Sequence, residues 1–390
     1  MGSLALATIL VAAALAASML SVELGISVAL IELSLGVVIG NALDVTTPEW
    51  LVFLAGFAGI LLTFLAGAEV DVPQLRREWR ASLALGLVSF AAPFLATMAF
   101  AYWGLGWTGD ASKIAGIALS TTSLAVVYAV LVETGLNRTA IGQRIMAATF
   151  VTDLGTVAAL SVLFVTPSLW IVPFAGVSVA LIVGLPKLAP WFFARFGDRV
   201  IEPEIKLAFA GLLLLMWLGE RAASHAVLPA FVLGLALSSH YASHRREQER
   251  LRVVAFAFLT PLFFLRGGMS VSLGALGANL GVLVLLFAAK MLPKLAGVYP
   301  LARRYCAPHA PFTTLLMSTG LTFGTISSLY GLSAGLIDET QFSLLVAVVV
   351  LSAVVPTVIA QRLFQPDAAE EARREAAAAR RPALRGGEGA

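Results

Sequence analysis

A single cysteine, Cys306, stands in 390 residues, so no disulfide can form within the chain. Charge is also scarce. Asp, Glu, Lys and Arg make up 13% of the residues, about half the roughly 25% of an ordinary soluble domain. No Lys or Arg precedes Arg76, which excludes the positive leader of a cleavable export signal and predicts an ordinary first span with its N-terminus outside. There is no phosphate-binding Walker loop and no enzymatic constellation; an ATP-driven pump and an enzyme are therefore not supported, and no cofactor is expected. What the chain has in excess is apolar surface, with 59% hydrophobic residues and a mean hydropathy of +0.90. A soluble fold still needs a polar exterior. The composition therefore predicts an all-α polytopic membrane protein and excludes a soluble enzyme, a nucleic-acid binder or a disordered chain. The 34 glycines and 17 prolines do not contradict this, because membrane helices tolerate both.

A spanning helix needs about 20 mostly apolar residues. Dividing the chain at its charged and turn clusters predicts about thirteen such segments by that rule. They are Leu4–Val22, Ile26–Leu43, Trp50–Val70, Ala81–Trp103, Ile114–Val132, Ile141–Val165, Leu169–Phe193, Ile205–Glu220, Val227–His240, Val253–Leu273, Leu276–Ala296, Pro311–Leu332 and Phe342–Phe364. With the N-terminus outside, all but four of the 26 Lys and Arg residues fall in inner loops or the tail, Lys187 and Lys294 among them. The outer loops hold only Lys113 and Arg221, and Arg266 and Lys290 lie inside spans. This satisfies the positive-inside rule and predicts a multi-pass protein of the cell inner (plasma) membrane with a cytoplasmic C-terminus. The net charge of +3 is then a property of one membrane side and does not point to a nucleic-acid partner. Segments one to six and eight to thirteen run in opposite senses around a linker span at about 169–193. The layout is an inverted repeat, about 1–166 and 203–365, the common build of secondary transporters. Together they form a transmembrane domain over 1–365. A short charged tail, 366–390, is too short for a soluble regulatory domain.

Two segments at matching places in the halves should break. The fifth carries four successive hydroxyls, Ser120, Thr121, Thr122 and Ser123; the twelfth carries Ser318, Thr319, Gly320, Thr322, Gly324 and Thr325. Hydroxyls compete for the helical hydrogen bonds, and glycine weakens a helix by about 1 kcal/mol relative to alanine. Such clusters often serve only to glue membrane helices together. Their matched placement next to a buried acid favours an ion site, where unwound carbonyls face a cation and half-helix ends supply partial charge.

The membrane interior holds two acids, Glu32 and Asp153, and two bases, Lys290 and Arg266. A mid-bilayer charge costs at least about 2.5–3.5 kcal/mol on insertion scales. Asp153 is flanked by Thr152 and Leu154, with no second acid beside it. A lone carboxylate there can hold a monovalent cation or a proton, one at a time. The alternative is a structural salt bridge to Lys290, its natural partner. Lys290 is either structural or gives up its proton when a cation arrives. Glu32 and Arg266 pair by elimination, unless Arg266 extends to the outer surface. The four histidines, His225, His240, His244 and His309, lie near span ends, where an interfacial role is the plain reading; His240 and His244 could also sense pH.

Five stretches carry a family resemblance. ALIELSLGVVIG with FLAGAEVDVPQLRREW, ALSTTSLAVVYAVLVETG, FVTDLGTVAAL and PLFFLRGGMSVSL resemble the motifs of the monovalent cation:proton antiporter family, in the branch of Kef-type potassium and NapA-type sodium exchangers. The likeness covers about residues 20 to 360. It implies an NhaA/NapA-like antiporter fold, with two crossed broken helices in a core that moves against a dimerisation domain, and hence a homodimer. It maps the family's shared acid onto Asp153, its core lysine onto Lys290 and its broken-helix threonine onto Thr121 or Thr122. Electrogenic members carry two adjacent acids and electroneutral ones Asn or Gln at the first position; here Thr152 fits neither. The expected function is exchange of sodium or potassium for protons by alternating access, electroneutral in the sense that one carboxylate moves one charge each way. The competing readings are a sodium-coupled organic-anion carrier and a cation channel or sensor.

Overall fold

The structure is a computed structural model that describes residues 2–24, 27–43, 47–137, 139–164, 168–197, 199, 201–222 and 224–367. The expected tail thus lies almost wholly outside the described residues, as does Arg138. Regular structure among the described residues is helical throughout. In chain order the helices are α1 (Ser3–Leu24), α2 (Val28–Ala42), α3 (Glu49–Ala68), α4 (Val72–Arg77), α5 (Trp79–Ala99), α6 (Gly109–Ser120), α7 (Leu124–Glu133), α8 (Ala140–Leu163) and α9 (Ile171–Phe196). They continue with α10 (Pro203–Arg221), α11 (Val227–Ser243), α12 (Arg245–Val254), α13 (Thr260–Met269), α14 (Leu273–Ala278), α15 (Leu280–Tyr305), α16 (Ala310–Met317), α17 (Thr322–Ser333) and α18 (Glu339–Leu363). π-helical turns at Phe100–Gly104 and Ala255–Leu259 extend α5 and join α12 to α13.

Each of the thirteen expected segments falls on one helix or on consecutive helical pieces. Among the described residues nine helices are long and apolar enough to cross a membrane, counting helices that run on through a short break or π-turn as one; α2 and α11 are apolar but shorter. Pro93, Pro186, Pro190, Pro293, Pro300 and Pro356 sit inside these helices. Neighbouring helices and local adjustments in a membrane helix re-satisfy the carbonyl a proline frees.

Two compact units emerge. The first consists of Met1–Pro73, Leu154–Leu280 and Thr325–Val346. Its helix pairs are held by backbone-to-backbone approach at glycine. A side chain at Gly234 of α11 would run into the Phe64 carbonyl and meet the Ala68 amide at 2.8 Å, and one at Gly268 of α13 would meet Gly36 Cα of α2 at 2.9 Å. Small residues permit this because lipid supplies no hydrophobic drive between helices, so close van der Waals contact must supply the attraction. Arg266 is buried in α13, where Nη2 donates to Ser333 Oγ at 3.3 Å. Glu32 is buried in α2, and its Oε2 accepts no hydrogen bond. No ion pair within 4 Å joins the two among the described residues, so the pairing reached by elimination is not what the fold makes.

The second unit consists of Gln74–Asp153, Gly281–Gly324 and Ala347–Ala390. Its apolar core draws Leu85, Val127, Leu131, Ile145, Ala148, Val298, Phe312, Leu316 and Ala360 from α5, α7, α8, α15, α16 and α18. Both hydroxyl-rich segments meet in this unit.

Candidate functional site

Local sequence sets the first break. Thr108 caps the start of α6, its hydroxyl accepting from Ala111 N at 3.2 Å. Ser123 caps the start of α7, accepting from Val126 N at 3.4 Å. A capping hydroxyl satisfies an amide that a helix start leaves bare, so Ser123 makes it possible for a new helix to start in mid-chain. Between α6 and α7 the backbone is extended, with Thr121 at φ −64°, ψ 155°. The second break spans residues 318–321, between α16 and α17; Thr322 is already the first residue of α17.

The two breaks are bonded to each other. Thr122 Oγ1 donates to Met317 O, the last residue of α16, at 2.9 Å. Ser89 of α5 donates to the same carbonyl at 3.3 Å and lies 3.3 Å from Thr122 Oγ1. Ser123 N donates to Thr319 Oγ1 at 3.4 Å. A carbonyl that a helix end leaves bare is thus taken up by a hydroxyl of the other broken helix. The remaining hydroxyls bond back into their own helices: Ser120 to Ile117 O, Thr121 to Ala118 O, Ser318 to Thr314 O and Thr319 to Leu316 O.

Lys294 closes the first break. It is fully buried on α15, and its ammonium donates to Ser120 O at 2.9 Å, Thr121 O at 2.6 Å and Thr122 Oγ1 at 3.1 Å. Three donors meet three acceptors. The cation also sits at the C-terminal end of α6, where the helix presents about half a unit of negative partial charge. Charge counting assigned Lys294 to an inner loop; the fold buries it in the site instead. Lys187, also assigned to a loop, lies within α9 on an exposed face.

Asp153 is 1% exposed on α8, and its Oδ1 has no hydrogen-bond partner. Thr149, one turn earlier on the same face, touches the break, its hydroxyl 3.7 Å from Met317 Sδ. The basic side chain that interacts electrostatically with the Asp153 carboxyl is Lys294. Lys290, the expected partner, donates to Ser352 Oγ of α18 at 2.7 Å and interacts with Lys294. Gly320 lies between these parts: a Cβ there would meet Lys290 Nζ at 2.5 Å and Thr121 Oγ1 at 3.0 Å. Thr152 turns its hydroxyl to Ala148 O at 3.1 Å and Gly86 O at 3.3 Å.

The second unit therefore brings together Asp153, Thr152, Ser120, Thr121, Thr122, Lys290, Ser318, Thr319 and Gly320, whereas Glu32 and Arg266 belong to the first unit. Sequence reasoning missed Lys294, Ser89 and Ser352. The signals were present. Lys290 and Lys294 are four apart and so share one helix face, and each serine is a lone hydroxyl in an apolar run. A site of this kind can hold one small cation or one proton at Asp153. The Thr121 and Thr122 hydroxyls are further neutral oxygens of the unit, whereas the Ser120 and Thr121 carbonyls are already bonded to Lys294.

Residues 6–365 match the family model described as sodium/hydrogen exchanger, transmembrane. The chain is 28% identical over 350 residues to the probable Na(+)/H(+) antiporter 3 of Methanocaldococcus jannaschii, covering 84% of this chain and 88% of that protein. It is 24% identical over 353 residues to the Na(+)/H(+)-K(+) antiporter GerN of Bacillus cereus, covering 86% and 89%. A glutathione-regulated potassium-efflux system protein of Haemophilus influenzae is 27% identical over 359 residues, 87% of this chain and 57% of that longer protein. In fold, the chain resembles the sodium proton antiporter MjNhaP1 of Methanocaldococcus jannaschii with a TM-score of 0.69 at 15% identity, over 92% of this chain and 98% of that one.

Proposed function

Because the chain belongs to the sodium/hydrogen exchanger family, a family of membrane transporters rather than enzymes, we propose that Asp153 carries both exchanged ions, a monovalent cation one way and a proton the other. The observation behind this reading is the buried Asp153 carboxyl with an unpartnered oxygen in the unit that holds both helix breaks. A buried acceptor left without a partner is uncommon and calls for an explanation; a transported ion supplies one. An ionised carboxylate with a bound cation and a protonated carboxyl have the same net charge. Each transit then moves one positive charge, and exchange is one to one and electroneutral.

Lys294 keeps its ammonium on the break in both loaded states. It offsets the charge of the empty carboxylate, which in a low-dielectric site would otherwise be expensive. Lys290 of α15, bonded to Ser352 of α18, braces the second break beside Gly320. The cation is sodium or potassium, and access alternates between the two membrane faces. The protein works as a homodimer in the plasma membrane, with its N-terminus outside.

The test is exchange in proteoliposomes carrying a pH-sensitive dye, with sodium, potassium or lithium added outside. Asp153→Asn should reconstitute normally and give no cation-driven pH change. Appreciable exchange by that variant would refute the assignment.

A further inference from the structure

At the far end of α11 in the first unit, the chain bends into α12 through His244, whose backbone leaves the helix at φ −121°, ψ 61°. His240, His244 and Glu247 gather there, each offering one ligand atom, all within 4.8 Å of one another. We infer that these three side chains form a binding site for a divalent transition-metal ion of the zinc type, separate from the site on Asp153.

Three features carry this. The first is spacing. His240 Nε2 lies 3.2 Å from Glu247 Oε2. Zinc–nitrogen and zinc–oxygen bonds of about 2.0–2.2 Å at the tetrahedral angle set two ligand atoms about 3.4 Å apart, so an ion can enter between these two with almost no movement. The second is orientation. His244 Nδ1 lies 3.1 Å from the His240 carbonyl. A metal-bound histidine usually donates its other ring N–H to a carbonyl or carboxylate in this way, which leaves Nε2 as the ligand. The rings of His240 and His244 are stacked 4.3 Å apart, which holds the two imidazoles side by side at the bend, with His244 exposed there. The third is charge. Two arginines of α12 are held by other carboxylates, Arg250 by Glu202 at 3.3 Å and Arg252 by Glu69 at 3.4 Å.

Two imidazoles and one carboxylate, with remaining positions for water, suit zinc, nickel, cobalt or copper rather than magnesium, which prefers oxygen ligands alone. His240 and Glu247 come from α11 and α12, so a bound ion fixes the angle of the bend between them. The site does not involve residues that handle the transported ion.

The experiment uses the tag-free full chain in detergent, titrated with Zn²⁺ against a chromophoric chelator. One tight Zn²⁺ per chain is expected, with Mg²⁺ unable to compete. His244→Ala, at an exposed position, should weaken binding by more than the 10–100-fold typical of losing a supporting partner, and His240→Ala with Glu247→Gln should abolish it. All variants should retain cation/proton exchange, which shows that they are folded. Binding of the same affinity in His244→Ala, equal competition by Mg²⁺, or no Zn²⁺ bound to the parent chain would overturn the inference.

Discussion

Replacing Lys294 with methionine isolates what the ammonium does at the break. Methionine fills similar space, so the change removes bonds and charge rather than volume. Lys294 is fully buried, and its loss leaves the Ser120 and Thr121 carbonyls, now bonded at 2.9 and 2.6 Å, without a donor. Each buried acceptor left unsatisfied costs roughly 1–3 kcal/mol, so two put the loss at about 2–6 kcal/mol by that measure. Thr122 is less affected, because its hydroxyl keeps the bond to Met317 O. Lys290→Met is the control on the same helix face. It removes a single bond to Ser352, whose hydroxyl keeps its own bond to Val349 O. The expected loss there is about 1 kcal/mol or less, since removing a poorly compensated buried charge is itself favourable. Heat unfolding in detergent, followed by tryptophan fluorescence, should rank parent, Lys290→Met, Lys294→Met in falling order. A cycle with Asp153→Asn completes the test. If Lys294 also balances the carboxylate, the double variant should recover part of the loss, with a coupling of about 0.5–3 kcal/mol. A Lys294→Met protein that melts with the parent, or strict additivity in the cycle, would refute the reasoning.

Gly320→Ala should reduce exchange and destabilise by roughly 1–3 kcal/mol, because its Cβ pushes on Lys290 Nζ and Thr121 Oγ1; transport and melting on one preparation measure both. Gly234→Ala should destabilise more, since the obstacle is the backbone of Phe64 and Ala68 rather than a side-chain tip, whereas Gly211→Ala meets nothing within 4 Å and should gain about 0.5–1 kcal/mol from helix propensity. Exchange in liposomes clamped at different potentials should keep the same rate and end point; a systematic shift with potential would mean that more than one proton moves per cation.

The sequence by itself determined the membrane class, the all-helical architecture, both breaks and the buried acid, because each is a local property. Hydropathy over about 20 residues reports a span. A run of hydroxyls such as Ser120–Ser123 reports a weakened helix, and a charge in an apolar stretch such as Asp153 marks a candidate site. Only the tertiary structure decided which groups meet. Lys294 lies about one helical turn beyond Lys290, about 6 Å along the axis, and that turn decides which lysine reaches the carbonyls of the first break. Counting charge along the chain could not resolve it, since depth and facing depend on how α15 packs in its unit. The same reason separates Glu32 from Arg266, whose guanidinium finds Ser333 instead, and turns the Thr152 hydroxyl toward Gly86. Pairing across a fold depends on the geometry between helices, and one-dimensional spacing carries that information only within a helix.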